Sequence, residues 1–250
     1  MAAEAPTILA TSIGFHSGGR GDLDWRPGPV YRFAAELAGA VRAPRLCFVS
    51  TATGDQRDYL AATYAAFAGS DLRVSHLALF PMPNVEDVRA HLLGQDVIWV
   101  TGGSVVNLMA VWRAHGLDRI LWECWQAGVV LGGTSAGSLC WHVGGTTDSF
   151  GPELRRFTDG LGWLPYSNGV HYDAELQRRP LLHQLIKDEV LPGGYATDNG
   201  VGLVYRGTEL LEAVSEVDGA AAYEVTLTDG VVSETRIEPR RLTDQITREG

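Results

Sequence analysis

The sequence has little cysteine, no long apolar run and fewer basic than acidic side chains. Its three cysteines include no Cys-x-x-Cys pair, which argues against a disulfide framework or a zinc ribbon and favours a reducing compartment. No apolar run approaches the ~20 residues of a membrane span, and the N-terminus shows no basic, apolar leader. We therefore expect a cytoplasmic protein without a membrane partner.

The shortage of basic charge argues against another class of partner. Lysine and arginine number 20 against 30 aspartate and glutamate, so the formal net charge is −10. A chain this acidic is a poor ligand for nucleic acid, whose phosphates attract basic surfaces. We expect no nucleic-acid partner.

The composition indicates a globular α/β protein. The 250 residues are 45% apolar, enough to bury a core, and 30 of them are glycine, which indicates many tight turns. Short apolar runs alternate with helical patterns along the first half of the chain, and this alternation predicts a mostly parallel sheet with helices on both faces. We predict one domain over residues 1–250, with its core at about 7–230.

The last third of the chain has a different pattern. Gly200–Arg206, Glu209–Val214 and Ala221–Thr228 are short, strand-like and separated by glycine-containing turns. We predict that they form antiparallel strands at the end of the same sheet. The charged segment 238–250 is expected to be a solvated, frayed tail.

One local motif carries the clearest chemistry. Gly133-x-Ser135-x-Gly137 follows the apolar run Val129–Gly132 and precedes Leu139–Trp141, a predicted helix. A serine on a sharp strand-to-helix turn, with glycines that let the two elements pass closely, is typical of a nucleophile elbow. A glycine-rich phosphate loop is the alternative, but the lysine of a Walker A motif is missing. We interpret Ser135 as a nucleophile.

A nucleophilic serine needs a base, and histidine is the usual one. The seven histidines stand at positions 16, 76, 91, 115, 142, 171 and 183. His142 would lie on the same helix as Ser135, about 10 Å along its axis, which is too far for a hydrogen bond. His171 follows a short extended run, where a sheet delivers residues to the rim of a site. We therefore predict His171 as the base, with His183 as the helical alternative.

The order of these residues restricts the kind of triad. An α/β-hydrolase carries its histidine after the acid and near the C-terminus, whereas no histidine follows His183 here. That order disfavours an esterase of the α/β-hydrolase fold. An acid after His171 suits the chain better, and Asp198, in a turn before a strand, is the first choice to orient the imidazole. Asp148 is the second choice, and either aspartate could instead be an ordinary turn residue.

A glycine pair marks a second strand end. Gly102-Gly103 follows the apolar strand Val97–Thr101 and precedes a helix that could begin with Ser104 as its N-cap. In a parallel sheet this places backbone N–H groups beside the elbow. The amides of Gly103 and Ala136 could therefore form an oxyanion hole.

Taken together, these segments resemble the peptidase E family of serine peptidases, which includes cyanophycinase. The resemblance covers roughly residues 7–230 and rests on six segments in the family's order: Ser50-Thr51-Ala52, Thr101-Gly102-Gly103, Gly133-Thr134-Ser135-Ala136-Gly137, Asp159-Gly160-Leu161-Gly162, Val170-His171-Tyr172-Asp173 and Ala196-Thr197-Asp198. It implies a flavodoxin-like fold, similar to class I glutamine amidotransferase domains, with Ser135 as nucleophile and His171 as base. The family often has glutamate near the position of Asp198, and an aspartate that matches Asp148 has also been implicated.

The resemblance also bears on substrate, cofactors and assembly. It implies hydrolysis of a small peptide without a metal or organic cofactor, and precedent in the family indicates a homodimer. An exo-dipeptidase that releases N-terminal aspartate needs an arginine for the substrate carboxylate, and Arg178 or Arg179 stands where the family places one. The alternatives are an isopeptidase resembling cyanophycinase, a peptidase for apolar N-termini, and a catalytically silent binding module with an amidotransferase-like fold.

Overall fold

A computed structural model describes residues 3–40 and 42–243 of the chain. These residues contain a 3-10 turn at Thr51–Thr53 and the following α-helices: α1 Pro29–Leu37, α2 Arg57–Ala66, α3 Val88–Leu93, α4 Val105–His115, α5 Leu117–Gln126, α6 Ala136–Leu139 and α7 Arg178–Lys187. Within the described ranges, no helix is both long and apolar enough to cross a membrane.

The strands of the described residues are, in chain order, β1 Thr7–Thr11, β2 His16–Ser17, β3 Trp25–Arg26, β4 Arg45–Val49, β5 Arg73–Leu77, β6 Val97–Val100, β7 Val130–Thr134, β8 His142–Thr147, β9 Arg155–Phe157, β10 Leu164–Gly169, β11 Gly194–Thr197, β12 Val201–Arg206, β13 Glu209–Ser215, β14 Ala222–Thr228, β15 Val231–Ile237 and β16 Arg240–Arg241. They form two large sheets and the small hairpin β2–β3.

The main sheet confirms the predicted parallel architecture. Its strand order is β16-β13-β12-β1-β7-β6-β4-β5, and the five strands from β1 to β5 in this order are mutually parallel. Successive side chains of β4 enter different cores, with Cys47 and Val49 in one hydrophobic cluster and Leu46 and Phe48 in the other. Because strand side chains alternate between faces, the sheet is covered on both sides, which explains its continuous apolar runs.

A second sheet was not expected. Its order is β15-β14-β11-β10-β8-β9, with β8, β10 and β11 parallel. Two of the expected C-terminal strands, β12 and β13, do extend the main sheet, but β14 pairs with β11 and so belongs to the second sheet. The prediction for Ala221–Thr228 was therefore wrong about the sheet. Strand β14 joins the second sheet because its Val225 is buried there, where it packs with Leu182 and Ile186 of α7.

Two local predictions also need correction. The helix after Ser135 ends at Leu139, and His142 begins β8 instead of continuing the helix. The expected frayed tail is ordered at its start, since β16 pairs with β13 and Leu242 is 6% exposed. Residues 244–250 of that tail lie outside the described part of the chain.

Candidate active site

Ser135 occupies the sharp turn that the sequence motif predicts. It follows β7 directly, caps α6, and has φ 57° and ψ −110°. A positive φ is uncommon for a residue with a side chain and is typical of strained functional positions such as the nucleophile elbow. The Ser135 N–H donates to the Thr11 carbonyl oxygen at 3.0 Å, which holds the turn against β1. The side chain is partly exposed.

The glycines around the serine allow a very close crossing of strand and helix. A Cβ on Gly137 would lie 2.2 Å from the Val100 carbonyl oxygen, and one on Gly133 would lie 2.3 Å from the Gly137 carbonyl oxygen. These positions are closed to any side chain, because real Cβ atoms do not approach backbone oxygens so closely. The spacing of the motif is therefore a packing requirement of the elbow.

His171 and Asn199 meet because they follow two neighbouring parallel strands. β10 ends at Gly169 and β11 at Thr197, and the register pairs Gly169 with Ala196. Residues just beyond the carboxyl ends of such strands share one edge of the sheet. His171 has φ 53°, and its Nδ1 lies 2.5 Å from the Asn199 Oδ1. With that oxygen as acceptor, Nδ1 carries the proton and Nε2 is free to act as a base.

Asp198, the predicted orienting acid, points elsewhere. Its Oδ2 accepts hydrogen bonds from the Ala221 N–H at 2.9 Å and the Tyr223 hydroxyl at 3.3 Å, while Oδ1 is buried and has no partner among residues 3–40 and 42–243. Burial raises the pKa of Asp198 above its usual value. The residue that contacts the imidazole is therefore the next one along the chain, Asn199.

The second-choice acid, Asp148, and the alternative base, His183, also lie away from the contact between His171 and Asn199. Asp148 is exposed in the turn after β8, where its carbonyl oxygen accepts from the Gly151 N–H. His183, the alternative base, lies on α7 and bonds the Tyr172 hydroxyl at 3.0 Å and Glu234 at 3.1 Å. Neither residue contacts His171 or Ser135 through a hydrogen bond among the described residues.

Ser12 connects the end of β1, the strand beside β7, with His171. It follows β1 directly and is 4% exposed. Its hydroxyl accepts from the His171 N–H at 3.0 Å and lies 2.7 Å from the Thr197 hydroxyl. Thr11 and Ser12 thus hold the backbones of Ser135 and His171 respectively, and fix the two relative to each other. The side chains of Ser135 and His171 are not hydrogen-bonded in this structure, and such contacts often tighten only when substrate binds.

The two amides expected to form the oxyanion hole lie at neighbouring strand ends. Gly103 follows β6, and Ala136 is the first residue of α6. Within the described ranges, neither N–H has a hydrogen-bond acceptor. A Cβ on the adjoining Gly102 would lie 3.3 Å from the Ser135 Cβ, so the loop after β6 passes directly beside the serine. The φ of 131° at Gly103 is available only to glycine without strain.

Both arginines expected to bind substrate already have partners within the protein. Arg178 is 1% exposed, and its guanidinium donates to the Thr146 carbonyl oxygen at 2.6 Å and to Glu175 at 3.0 Å. Arg179 is exposed, stacks 4.6 Å from the centre of the Tyr172 ring and pairs with Glu234 at 3.5 Å. Arg178 is therefore held inside the protein, with its buried Nε left without a partner among the described residues, whereas Arg179 stays accessible at the surface.

Sequence reasoning missed Asn199 and Ser12. Asn199 was visible as the residue after the chosen acid, but an Asn before Gly in a turn normally signals only turn geometry. Ser12 had no such signal, because its place beside β7 follows from the pairing of β1 with β7, which the sequence alone does not show. No group of three or more metal-binding side chains occurs in the part of the chain that the structure describes.

Comparison with known proteins points to one family. The sequence model of peptidase family S51 matches residues 29–213. The uncharacterized peptidase YgaJ of Bacillus subtilis strain 168 is 43% identical over 191 residues, which is 76% of this chain and 82% of the relative. The predicted resemblance to peptidase E is confirmed by these matches and by the structural neighbours.

Two crystal structures share the fold. A peptidase from an acI-B1 Actinobacterium superposes with a TM-score of 0.66 at 16% identity, covering 94% of this chain and 95% of its own. A protein assigned as peptidase E from Listeria monocytogenes EGD-e gives a TM-score of 0.57 at 20% identity, covering 83% of this chain and 97% of its own. The predicted α/β fold class is thereby confirmed.

Proposed function

Because the chain belongs to peptidase family S51, we propose that it is a serine peptidase that hydrolyses dipeptides or other short peptides with Ser135, His171 and Asn199. The observation that carries this proposal is the backbone of Ser135, whose positive φ between β7 and α6 lifts the hydroxyl out of the strand. A catalytically silent binding module would have no need for this strained conformation at a serine.

In the proposed mechanism, Nε2 of His171 accepts the Ser135 hydroxyl proton as Oγ attacks the scissile carbonyl carbon. The carbonyl π electrons move to oxygen, and the resulting oxyanion accepts hydrogen bonds from the Gly103 and Ala136 amides. His171 then gives its proton to the leaving nitrogen as the carbon–nitrogen bond breaks. A water molecule, activated by His171, releases the acyl group and restores Ser135.

Asn199 has a narrower role than a carboxylate in this position. Its amide oxygen fixes the tautomer and orientation of His171 but carries no charge to offset the imidazolium. Cysteine proteases with a Cys-His-Asn triad work with the same kind of partner. Asn199 is itself held by its N–H, which donates to Asp173 at 2.8 Å.

A preference for N-terminal aspartate stays part of the proposal and depends on Arg179. Arg178 is buried against Thr146 and Glu175. Arg179, in contrast, is exposed and pairs with Glu234 at 3.5 Å, a partly exposed contact that a substrate carboxylate can replace. Equal hydrolysis of Asp-Leu and Ala-Leu would contradict this preference.

The test is active-site labelling and hydrolysis with matched serine variants. We expect a fluorophosphonate to add to one site of the wild-type protein, detected by intact mass, and a panel of Ala-Leu, Leu-Leu, Asp-Leu and β-Asp-Arg to include a substrate. Ser135→Ala should abolish both signals, whereas Ser233→Ala, an exposed serine of β15, should preserve them. Labelling or hydrolysis that survives Ser135→Ala contradicts the proposal, and hydrolysis of β-Asp-Arg alone would favour an isopeptidase.

A further inference from the structure

The chain segments that carry His171 and Asn199 are joined beyond the ends of β10 and β11. The Tyr172 N–H donates to the Thr197 carbonyl oxygen at 3.1 Å. Beside this bond, the Asn199 N–H donates to the Asp173 Oδ1 at 2.8 Å. These two hydrogen bonds hold the two segments together where the His171 Nδ1 meets the Asn199 Oδ1 at 2.5 Å.

The hydrogen bond to Asp173 differs in kind from those on either side of it. The Asp198 and Gly200 N–H groups both donate to main-chain carbonyl oxygens, at 3.0 Å each. The N–H of Asn199, which lies between them, donates to a side chain instead. A substitution at Asp173 can therefore release the Asn199 N–H while both neighbouring main-chain bonds remain.

Asp173 and His171 belong to the same tight turn. The His171 carbonyl oxygen accepts from the Ala174 and Glu175 N–H groups at 3.3 and 3.2 Å, and Asp173 lies within this turn. His171 enters the turn with φ 53°, a value that is uncommon for a residue with a side chain. The turn that presents the imidazole thus also presents the carboxylate that holds the partner of the imidazole.

The charges around this turn explain why an amide at position 199 suits the site. Burial raises the pKa of Asp198, and the negative charge of Asp173 raises it further. A carboxylate at position 199 would bring a third negative charge to this pair, and like charges at close range disfavour one another. The Asn199 amide accepts from His171 without that repulsion, while the Asp173 carboxylate gives its N–H a strong, charged acceptor.

We infer that Asp173 is a further positioning residue of this site, which acts on His171 through Asn199. Its carboxylate holds the Asn199 peptide so that the amide oxygen faces Nδ1 of the imidazole. Among the described residues, the Asp173 carboxylate makes no hydrogen bond to His171 or Ser135, so its effect must pass through Asn199. The inference rests on the proposed function.

This role predicts a particular kinetic signature. The orientation of the base affects proton transfer in the transition state more than it affects binding of the peptide. Asp173→Ala removes the acceptor of the Asn199 N–H, so we expect kcat to fall about tenfold while KM stays within about twofold of wild type. Asp173→Asn keeps an oxygen acceptor at the same position, so kcat should stay within about threefold of wild type.

The first experiment compares these two variants with a matched control. Asp188→Ala removes another exposed carboxylate, which bonds only the Gln184 side chain among the described residues, and should keep the wild-type kcat and KM. Kinetics are measured on the fastest peptide of the panel, and circular dichroism checks the fold of each variant. A wild-type kcat in Asp173→Ala, or an equal loss in Asp173→Ala and Asp173→Asn, overturns the inference and leaves the proposed function standing.

Asp173 is exposed, so its replacement removes no core contact and the variants should fold. If Asp173→Ala fails to fold, Asp173→Ser takes its place in every comparison, because the serine hydroxyl is one bond too short to replace the carboxylate. Absence of both hydrolysis and fluorophosphonate labelling in the wild-type protein overturns the proposed function, and this inference with it.

The second experiment tests whether Asp173 acts through Asn199. Asp173→Ala is combined with Asn199→Ala, and the double variant is compared with each single variant. If the carboxylate works only by holding Asn199, Asp173→Ala should lower kcat by less than about twofold in the Asn199→Ala background. A further tenfold loss in the double variant would show that Asp173 acts independently of Asn199, and would overturn the inference.

Discussion

Asn199 and Asp198 are neighbours in sequence, yet their side chains have opposite surroundings. Asn199 lies at the surface and contacts the imidazole of His171. Asp198 is 5% exposed, accepts bonds from Ala221 and Tyr223, and has its pKa raised by burial. The residue that orients the histidine can therefore be identified by changing each of the two in turn.

We expect Asn199→Ala to lower kcat by about 10²-fold, because His171 loses the partner that fixes its tautomer. Asp198→Asn should leave kcat within about threefold of wild type, because an amide oxygen can still accept from Ala221 and Tyr223. Steady-state kinetics on one peptide substrate, with circular dichroism of both variants, gives the comparison. A large loss in Asp198→Asn with full activity in Asn199→Ala would restore Asp198 as the orienting residue.

The sequence predicted the local backbone settings of Ser135 and His171 better than the contacts that these two residues make with the rest of the chain. The interpretations of Ser135 and His171 depended on local context, a glycine-flanked turn and a strand end, and the structure places each residue in that context. Ser12 contacts His171 across 159 positions of chain, and no local pattern reports such a contact. The choice between Asp198 and Asn199 depended on which way each side chain points after β11, and this direction cannot be read from a single sequence.

Among the strands, those that are buried on both faces were the easiest to predict from the sequence. The central strands of the main sheet are apolar on both faces and were recognisable as continuous runs, as in Val97–Val100. Strands β8 and β10 contain residues that are depleted in strands, two glycines in His142–Thr147 and proline, asparagine and glycine in Leu164–Gly169. These residues weaken the intrinsic strand preference of both segments, so their pairing depends more on tertiary contacts.

The packing of residues 240–242 against β13 should contribute to the free energy of unfolding. Leu242 is buried beside β13 and joins the hydrophobic cluster under α1, whereas the neighbouring Thr243 is exposed. We expect Leu242→Ala to lower the free energy of unfolding by about 2 kcal/mol, the low end for a buried leucine because the site lies near the sheet edge. Thr243→Ala should change it by less than about 0.5 kcal/mol. Urea unfolding measures both, and equal midpoints for the two variants would mean that the segment is frayed after all.

At the scale of the whole molecule, the site forms only where the two sheets meet. Ser135, Gly103 and Ala136 follow strands of the main sheet, whereas His171 and Asn199 follow strands of the second. Buried polar contacts join the sheets, among them the Asn168 amide that donates to the Ser138 hydroxyl at 2.7 Å. Disruption of the contact between the sheets would separate Ser135 from His171, and with them the proposed nucleophile from the proposed base.

His142 lies at this junction and makes the contact sensitive to pH. It is fully buried at the start of β8, its Nδ1 is 2.9 Å from the Ser138 carbonyl oxygen, and its Nε2 has no hydrogen-bond partner in the part of the chain that the structure describes. Burial lowers the pKa of His142 to about 4, against about 6.5 in an unfolded chain. Between these values the unfolded chain binds a proton that the folded chain does not, so acid favours unfolding.

The expected size of this effect is about 1.4 kcal/mol of unfolding free energy lost per pH unit between pH 6.5 and 4, or roughly 3 kcal/mol in all. His142→Gln removes the titrating group, so its stability should fall less steeply over this range than that of wild type. His115→Gln changes an exposed histidine and should keep the wild-type slope. Urea unfolding at pH 6.5, 5.5 and 4.5 compares the three proteins, and the other titrating groups cancel because all three share them. Parallel curves for wild type and His142→Gln would show that His142 is protonated in the folded protein, and that the junction tolerates its charge.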